Sequence, residues 1–481
     1  MDGASTAPTP DQDRSSAPVR ITPLTDLPRA PDGRIDVDGL AAALAPDDVL
    51  ETATGAAGWS YLVPTIGARI VDDGHRTVLD HGGGRRTDLG ADPFAAIEGW
   101  CSRAGVTPDA PRDPRLPPFT GGLVGAFAYD LGRRIERLPT LAVDDRQQAH
   151  LSLRIAEVVV AVSPTRSSAT VLGRPLVNDR AVVRRLMAEV TRRCAAATRA
   201  PAVPAPDRRS VTTSLPRDEY LAAVRSVLEH IAAGDCFQVN LAQRLTTTWT
   251  GTLSDLYRRL RAASPAPHAA MLADVGVASI SPETFLEVDG HDVTVRPIKG
   301  TRPRHADPTI DAANADDLAT SAKDRAENVM IVDLERNDLG RVCVPGSVSV
   351  PQLCVIEPHP TVWHLVSEVI GELRPGTGYG ELLRATFPCG SITGAPKVRA
   401  MEVIEALEPV RRGWYCGALG FLSPGAASLS VAIRTATRHP DGTVDHGAGG
   451  GIVAASDPAL EHEESLAKAA AFLSAVAGEL R

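Results

Sequence analysis

The chain has 481 residues, of which 43% are hydrophobic and 23% charged, a composition typical of a globular protein with room for two or three domains. The formal net charge of -9 argues against general nucleic-acid binding, which usually needs a basic surface. No apolar run reaches the roughly 18–20 residues that span a bilayer, and the N-terminus lacks the pattern of a secretory signal. We therefore expect no membrane partner and a cytoplasmic location, with the seven scattered cysteines reduced.

Composition divides the chain near a Pro/Ala-rich stretch that begins at residue 199. Residues 1–20, rich in Pro, Ser and Asp, are predicted to be a disordered tail. Residues 21–205 are predicted to form an N-terminal domain that ends in a helix over 179–198 and a stiff linker. Residues 213–481 are predicted to form the C-terminal catalytic domain, where most of the motifs lie.

The elements of the C-terminal part mix long helices with strands and hairpins. The pattern predicts an amphipathic helix over 214–235 with Ser214 as its cap, and a helix over about 316–334. Two strands around Asp289-Gly290 are typical of a hairpin, and His364 has a helix-like apolar setting. Because strands and helices do not alternate regularly, we predict an α+β fold of large antiparallel sheets rather than a doubly wound parallel one.

Lysine is rare in this sequence, and that rarity draws attention to Lys299. Among 50 basic residues only four are lysines, namely Lys299, Lys323, Lys397 and Lys468. A desolvated lysine can lose its proton and act as a nucleophile, whereas a guanidinium stays charged. The alternative is that PIKGT merely ends a strand at a glycine turn.

Two helices carry carboxylates at helical spacing. Glu461, Glu464 and Lys468 share one face of the last helix, and Asp324 and Glu327 share one face of an earlier helix. Either pair alone is an ordinary feature of a solvated helix surface. Brought together, the four carboxylates would repel each other and need a cation, and oxygen ligands of this kind suit Mg²⁺.

Several further features are suited to binding an anion. The glycines of GAGGGIVAAS (447–456) would let backbone N–H groups approach an anion, although a tight turn between strands explains them equally well. A helix start in SITGAPKVRAM (391–401) offers free N–H groups. Arg434, on a predicted strand, could pair with a carboxylate, with an exposed edge-strand arginine as the alternative. Glu283 would serve as a general acid if burial raises its pKa.

Seven motifs then appear in one order. They are GDCFQVNLAQR, SPE, RPIKGTRPR, SAKDRAEN, VDLERNDLGRV, GSITGAPKVRAME and AGGGIVAASD. In these motifs the chain resembles the chorismate-utilising enzymes, from about residue 118 to the C-terminus and most closely over 213–475. The resemblance implies the fold of that family, with large antiparallel sheets packed together and helices on the outside, and it implies chorismate as substrate.

Two positions distinguish activities within the family. Members that add water to chorismate carry a Lys base where this chain has Gln238, and glutamine cannot take a proton from water. Lys299 in PIKGT is similar to the members that aminate C4, whereas anthranilate synthases typically have Ala there. The resemblance therefore implies 4-amino-4-deoxychorismate as the product. The alternatives are synthesis of anthranilate or 2-amino-2-deoxyisochorismate, and an inactive chorismate-binding regulatory paralogue.

The resemblance also implies a role for each site residue. Lys299 would form a covalent adduct at C2 of the ring, Glu283 would protonate the departing C4 hydroxyl, and His364 would lie on the C4 side. Mg²⁺ would be held by Asp324, Glu327, Glu461 and Glu464. The substrate would be bound by Gln238, Thr301, Ser391, Tyr415, Arg434, Gly449, Gly450 and Lys468. The chain departs from the family at Asp324, where Glu is usual, at Cys389, where Gly is usual, and at Ala455, where Asp is common.

The nitrogen source is implied to be ammonia from another protein. No glutaminase motif of the G-x-C-x-G type occurs in the sequence. We therefore expect a heterodimer with a glutamine amidotransferase subunit. The product would feed 4-aminobenzoate synthesis, for folate or for a secondary metabolite such as an antibiotic, and the sequence does not separate these two uses. In relatives the N-terminal part holds a tryptophan pocket.

Overall fold

A computed structural model describes residues 19–44, 48–51, 58–64 and 67–480. The predicted tail over 1–20 lies outside this part except for its last two residues, and Arg20 opens the first strand. Within the described ranges, no helix combines the length and apolarity needed to cross a membrane.

The described residues form strands and helices that are numbered here in chain order. The strands are β1 Arg20–Leu24, β2 Asp48–Glu51, β3 Ser60–Val63, β4 Arg69–Asp72, β5 Thr77–Asp80, β6 Arg86–Gly90, β7 Gly122–Phe127, β8 Leu151–Ala156, β9 Val158–Val162, β10 Ala169–Gly173, β11 Arg209–Thr213, β12 Gln238–Thr248, β13 His268–Leu272, β14 Val277–Ser281, β15 Thr284–Asp289, β16 Asp292–Arg296, β17 Ile298–Pro303, β18 Ser349–Pro358, β19 Val362–Glu372, β20 Gly394–Ala395, β21 Ala418–Ser423, β22 Ala426–Val431, β23 Thr435–Arg438, β24 Thr443–Val453 and β25 Gly478–Leu480. The helices are α1 Val37–Leu44, α2 Pro93–Ala104, α3 Arg180–Ala195, α4 Arg217–Ala232, α5 Leu253–Ala263, α6 Pro308–Thr320, α7 Ala322–Gly340, α8 Tyr379–Thr386, α9 Lys397–Leu407 and α10 Pro458–Val476.

The strands make two large sheets. Sheet I has the order β1-β10-β9-β3-β2-β13-β14-β23-β24-β12-β11-β25, with β20 also paired to β12. Sheet II has the order β17-β19-β16-β15-β22-β21-β7-β8-β4-β5-β6, with β18 also paired to β19. Among the described strands every ladder is antiparallel except β11 with β25. The predicted α+β class with antiparallel sheets is thereby confirmed.

The two sheets pack against each other and helices cover their outer faces. A buried cluster between the sheets includes Tyr61 of sheet I with Phe119 and Phe421, whose ring centroids lie 4.6 Å apart. A second cluster joins the outer face of sheet I to α1, α3, α5 and α10. A third joins the outer face of sheet II to α2, α7, α8 and α9. The order of layers is therefore helices, sheet I, sheet II, helices, as predicted.

Both sheets contain strands from either side of the predicted domain boundary. In sheet I, β2 pairs with β13, and in sheet II, β7 pairs with β21. The stretch from 199 to 208 has no regular structure, as expected of a linker. The division into domains 21–205 and 213–481 therefore stays a prediction. The two segments each contribute strands to both sheets.

Four local predictions differ from the structure. His364 lies on β19 and not on a helix, since VWHLVSEVIGE is rich in β-branched residues and its strand lies inside sheet II. The glycines of 447–451 lie within β24 rather than in a turn. The helix predicted over 316–334 is two helices, because Ser321 ends α6 and caps α7 by accepting a hydrogen bond from the Asp324 N–H. Helix α4 begins after Pro216, so Ser214 is not its cap.

Candidate active site

A cleft of about 1030 Å³, including the solvent-open space at its mouth, lies where the chain passes between the two sheets. One link, at Pro282-Glu283, joins β14 of sheet I to β15 of sheet II, and the other, at Ile433-Arg434, joins β22 of sheet II to β23 of sheet I. The first link is bonded to the end of β22, just before the second link, since the Val431 N–H donates to the Glu283 carbonyl at 3.0 Å. Strands β12, β17, β19 and β24, the N-terminal part of α7 and the middle of α10 at Glu464 and Lys468 complete the walls.

The cleft brings most of the predicted site residues together. Its lining includes Glu283, Lys299, Thr301, Asp324, Glu327, His364, Ser391, Tyr415, Arg434, Gly449, Glu464 and Lys468. The other three predicted residues, Gln238, Gly450 and Glu461, do not line the cleft but stand against residues that do. The structure thus groups the predicted residues around one cavity, while the role of each residue stays a prediction.

Lys299 and Glu283 face each other across one end of the cleft. Lys299 Nζ donates a hydrogen bond of 2.9 Å to the Ser391 carbonyl. Glu283 is 3% exposed, and burial raises the pKa of its carboxyl, against the opposing effects of the Lys299 charge and a hydrogen bond from Ser391. Gly300 follows Lys299 at φ +79°, where a Cβ would meet the Asp324 side chain at 2.9 Å, so the glycine of PIKGT is required by space as well as by conformation.

Three glutamates converge on the glycines of β24. A Cβ placed on Gly450 would lie 3.4 Å from Oε2 of Glu461 and 3.6 Å from Oε1 of Glu464, and one placed on Gly451 would lie 3.4 Å from Oε2 of Glu327. Burial raises the pKa of Glu327 to about 7, with Lys299 opposing the rise and Glu461 adding to it. The predicted i, i+3 spacing on two helices therefore does place these carboxylates on facing surfaces.

Basic side chains neutralise these carboxylates. Lys323 Nζ donates to Glu461 Oε1 at 2.8 Å. Lys468 Nζ lies 2.8 Å from Glu464 Oε1 and holds the pKa of that carboxyl below its usual range. Asp324 is paired as well, because Arg302 Nη2 donates to its Oδ2 at 3.2 Å.

His364 and Arg434 form the opposite wall. His364 Nδ1 lies 3.0 Å from Thr301 Oγ1, and the two residues are direct partners between β17 and β19. Burial lowers the pKa of His364 to about 3, with the charge of Arg434 lowering it further, so the ring is neutral at neutral pH. Arg434 is partly buried at φ +49° in the link between two strands, not on an exposed edge strand. Its guanidinium therefore faces the cleft.

The residues present fit a hard cation by their donor chemistry. Oxygen atoms of Glu327, Glu461 and Glu464 surround one stretch of β24, and oxygen is the ligand atom that Mg²⁺ prefers. The side-chain amide of Gln238 is fully buried beside Gly451, and neither its Oε1 nor its Nε2 has a partner among the described residues. Among the described residues, no three His, Cys, Asp or Glu side chains are grouped so that they could hold a metal ion as they stand.

Three cleft residues with polar side chains were not predicted as site residues. Asn240 of β12, Arg302 and Lys323 all line the cavity. Lys323 is one of the four lysines of the chain, and Arg302 belongs to the RPIKGTRPR motif, so the sequence held a signal for both. Asn240 lies in another of the motifs, GDCFQVNLAQR, but nothing in its spacing distinguishes it from the other residues of a predicted strand.

The comparison with protein families agrees with this geometry. The model of the chorismate binding enzymes matches residues 79–474, which is most of the chain. The chain belongs to this family of enzymes.

Relatives with different names are similar to this chain over most of its length. It is 42% identical over 404 residues to aminodeoxychorismate synthase component 1 of Klebsiella aerogenes, covering 83% of this chain and 86% of that protein. It is 39% identical over 447 residues to anthranilate synthase component 1 of Streptomyces coelicolor, covering 86% and 82%. Among solved structures, anthranilate synthase component I of Streptococcus pneumoniae matches with a TM-score of 0.75 and 27% identity, over 86% of this chain and 92% of that one.

Proposed function

We propose that this protein aminates chorismate at C4 to give 4-amino-4-deoxychorismate, through a covalent adduct between Lys299 and C2 of the ring. The observation that carries the proposal is the position of Lys299 Nζ in the cleft, beside the buried carboxyl of Glu283 and 2.9 Å from the Ser391 carbonyl. A carbonyl neighbour accepts a hydrogen bond from the amine without forcing it to stay charged, and a general acid stands opposite. The 42% identity to an aminodeoxychorismate synthase component supports the same activity.

The first displacement uses Lys299 as nucleophile and Glu283 as acid. The neutral Lys299 amine attacks C2, the C1=C2 electrons move to C1=C6, and the C5=C6 electrons move to C4=C5. The C4–O bond breaks and the hydroxyl leaves as water with the proton of Glu283. The products are a secondary ammonium on C2 and a Glu283 carboxylate. Burial favours the protonated acid at the start, because it raises the pKa of Glu283.

The second displacement reverses the electron flow. Ammonia attacks C4, both double bonds return to their original places, and Lys299 leaves C2 as the neutral amine. The new C4 ammonium gives a proton to the Glu283 carboxylate, which restores the acid. Ammonia thus reaches C4 only after the hydroxyl has left, so no step displaces the hydroxyl by direct attack on its own carbon. The enolpyruvyl group stays on the ring, and its removal belongs to a separate lyase.

The remaining residues hold the substrate. Arg434 and Lys468 supply positive charge for its carboxylates, and the backbone of β24 at Gly449 and Gly450, with Ser391 and Tyr415, supplies hydrogen bonds. The neutral ring of His364, on the same wall as Thr301, orients the C4 hydroxyl by hydrogen bonding. Mg²⁺ held by Glu327, Glu461 and Glu464 would bind and neutralise the ring carboxylate, with Asp324 reaching it through water.

The proposal includes a partner, a location and a pathway. Ammonia comes from a glutamine amidotransferase subunit in a heterodimer, and the product leads to 4-aminobenzoate in the cytoplasm. Size-exclusion chromatography with the candidate subunit tests the heterodimer, and two separate peaks would count against it. The chain alone is expected to use ammonium but not glutamine.

The decisive experiment is mass spectrometry of the protein with chorismate and Mg²⁺ in the absence of ammonia. We expect an adduct that peptide mapping assigns to Lys299, and that disappears when ammonium is added. A second assay adds ammonium and a lyase and looks for 4-aminobenzoate. No adduct and no amino product would overturn the proposal.

Anthranilate synthesis is the second candidate, because an anthranilate synthase component is 39% identical over 447 residues. That activity would add ammonia at C2, the carbon that Lys299 attacks in the proposed reaction. Fluorescent anthranilate formed from chorismate, Mg²⁺ and ammonium would favour it and exclude the C4 proposal. If neither product forms and Lys299→Ala is as inert as the parent, the chain is an inactive chorismate-binding paralogue.

A further inference from the structure

A buried glutamate that the mechanism does not use lies behind the catalytic cleft. Glu335 is on α7, two turns beyond Glu327, and is 0% exposed. Its Oε1 accepts a hydrogen bond of 2.8 Å from the Gly390 N–H and one of 3.4 Å from Cys389 Sγ. Its Oε2 is buried and has no hydrogen-bond partner among the described residues. A carboxyl kept in such a place at a desolvation cost is expected to hold something in position.

The turn that Glu335 holds leads directly to both reacting groups. Cys389 Sγ lies 3.3 Å from Ser391 Oγ, so the sulfur is in contact with both the glutamate and the serine. The Ser391 carbonyl accepts the hydrogen bond from Lys299 Nζ, and the Ser391 side chain hydrogen-bonds the Glu283 carboxyl. Movement of this turn would therefore displace a contact of the nucleophile and a contact of the acid together.

The 389–391 turn is packed closely against helix α7. A Cβ on Gly390 would lie 2.6 Å from Leu334 Cδ2 and 2.9 Å from Glu335 Oε1, so the backbone rests directly on α7. Just before the turn, Lys397 Nζ donates to the carbonyls of Thr386 and Pro388 and to Asp338 of the same helix. Helix α7 thus carries carboxylates of the cleft at one end and supports the catalytic turn at the other.

We propose that Glu335 is a positioning residue, which acts through the 389–391 turn to place Ser391 against Lys299 and Glu283. The expected effect on catalysis rests on the proposed function, in which Lys299 and Glu283 are the reacting groups. Burial and the charge of Asp338 raise the pKa of Glu335 to about 7, with Lys397 and the hydrogen bonds from Gly390 and Cys389 opposing the rise. The acceptor atom is present in either protonation state, so geometry and not charge is what Glu335 contributes.

Three substitutions separate geometry from charge. Glu335→Gln keeps an oxygen at the Oε1 position, and we expect kcat and KM within about threefold of the parent. Glu335→Asp keeps the charge but withdraws the carboxylate by one methylene, and Glu335→Leu removes the acceptor. For both we expect kcat to fall about 10- to 100-fold with KM changed less than about threefold, because small misplacements of reacting groups have effects of this size. Slower formation of the Lys299 adduct is expected in parallel.

The pH profile supplies a measurement that general destabilisation would not change. The hydrogen bond from Ser391 lowers the pKa of Glu283. Its loss in Glu335→Asp would keep Glu283 protonated to higher pH, so the descending alkaline limb of kcat should move to higher pH, and Glu335→Gln should leave it in place. Glu157→Leu is the matched control, since Glu157 is also buried and accepts the N–H groups of Leu176, Val177 and Asn178 away from the cleft. This control is expected to lose stability but keep the alkaline limb of the parent.

Each outcome decides the proposal. Folded Glu335→Asp or Glu335→Leu protein with parental kcat and pH profile overturns it, as does loss of activity in Glu335→Gln equal to that in Glu335→Asp. If Glu335→Leu does not fold, the comparison of Glu335→Asp with Glu335→Gln decides.

If the parent itself forms neither adduct nor amino product, the proposed function has failed. The rate at which acetic anhydride labels Lys299 still tests positioning in that case. A rate changed in Glu335→Asp but not in Glu335→Gln supports the proposal, and equal rates in all three proteins overturn it.

Discussion

Lys323 Nζ donates a hydrogen bond of 2.8 Å to Oε1 of Glu461 and so joins the first turn of α7 to the first turn of α10. Ser456 Oγ donates to the same oxygen at 2.6 Å. Glu461 is 2% exposed, so the ammonium is the nearby charge that balances its carboxylate. A cation that binds this carboxylate therefore competes with Lys323.

Removing that competitor should strengthen Mg²⁺ binding. In Lys323→Met the ammonium is absent, and we expect the Kd for Mg²⁺ to fall about three- to tenfold, because one like charge close to the ion is removed. Isothermal titration calorimetry at fixed ionic strength measures the change. Lys323→Arg, which keeps the charge, should bind Mg²⁺ as the parent does. Equal affinity in the Met variant and the parent would show that Glu461 is not a ligand.

Lys299 should not be replaceable by arginine. A guanidinium remains charged at any working pH and has no free electron pair for C2. We expect Lys299→Arg to lose at least about 10³-fold in kcat and to form no adduct, although it can still donate a hydrogen bond to Ser391. Mass spectrometry with chorismate checks the adduct, and thermal unfolding checks that the variant is folded. An arginine variant with parental turnover would exclude covalent catalysis by Lys299.

The sequence grouped most of the residues that line the cleft, through local spacing together with the resemblance to the chorismate-utilising enzymes. Helical spacing placed Glu461 and Glu464 on one face, and PIKGT placed a rare lysine before a glycine that must adopt positive φ. The absence of a regular strand–helix alternation argued against a doubly wound parallel sheet. These features depend on neighbours in the chain, which a single sequence shows directly.

Features that depend on distant residues could not be predicted in this way. Asp324 pairs with Arg302, which is on a strand of sheet II, so one predicted ligand is already engaged in an ion pair. The apolar segment around His364 fits a helix or a strand by composition, and its place inside sheet II decides the matter. The glycines of β24 resemble a turn until the strand is seen to pass directly under carboxylates.

Burial of the Glu283 carboxyl should lower the free energy of unfolding at high pH, where this carboxyl is ionised. Burial raises its pKa above the ordinary value of 4.5, so the folded state binds the proton more tightly than the unfolded state does. The resulting stabilisation is fully present below the unfolded pKa and is lost as pH rises through the folded pKa. We therefore expect Glu283→Gln to be more stable than the parent at pH 8, with the difference shrinking toward pH 4.

Urea unfolding of the two proteins across this pH range measures the effect, and equal stability at every pH would contradict it. The same substitution removes the general acid, and kcat should fall about 10²-fold or more. Adduct formation should slow in parallel, since the acid assists the step in which the C4–O bond breaks. A glutamine variant with parental kcat would assign the proton to another group.

Neighbouring glycines of β24 should respond to alanine in opposite ways. A Cβ on Gly449 would lie 2.2 Å from the Leu241 carbonyl oxygen and 2.6 Å from Ala242 Cα, which are backbone atoms of β12 that cannot move aside alone. We expect Gly449→Ala to lose about 2–4 kcal/mol of unfolding free energy, in the range of overpacked cores. A Cβ on Gly450 meets its nearest atoms only at 3.4 Å, and these are Glu461 Oε2 and Lys468 Nζ, the ends of side chains.

Gly450→Ala should therefore keep a melting temperature within about 2 °C of the parent, because the strand itself has room for the methyl group. The methyl group would instead occupy the space between the strand and the carboxylates, where the substrate carboxylate and Mg²⁺ are proposed to bind. We expect KM for chorismate and the Kd for Mg²⁺ to rise at least about tenfold, which corresponds to about 1.4 kcal/mol of binding free energy. Steady-state kinetics and calorimetry on the two alanine variants check both halves of the prediction. A stable Gly450→Ala protein with parental KM would show that the substrate does not bind against β24, and so would contradict the proposed substrate site.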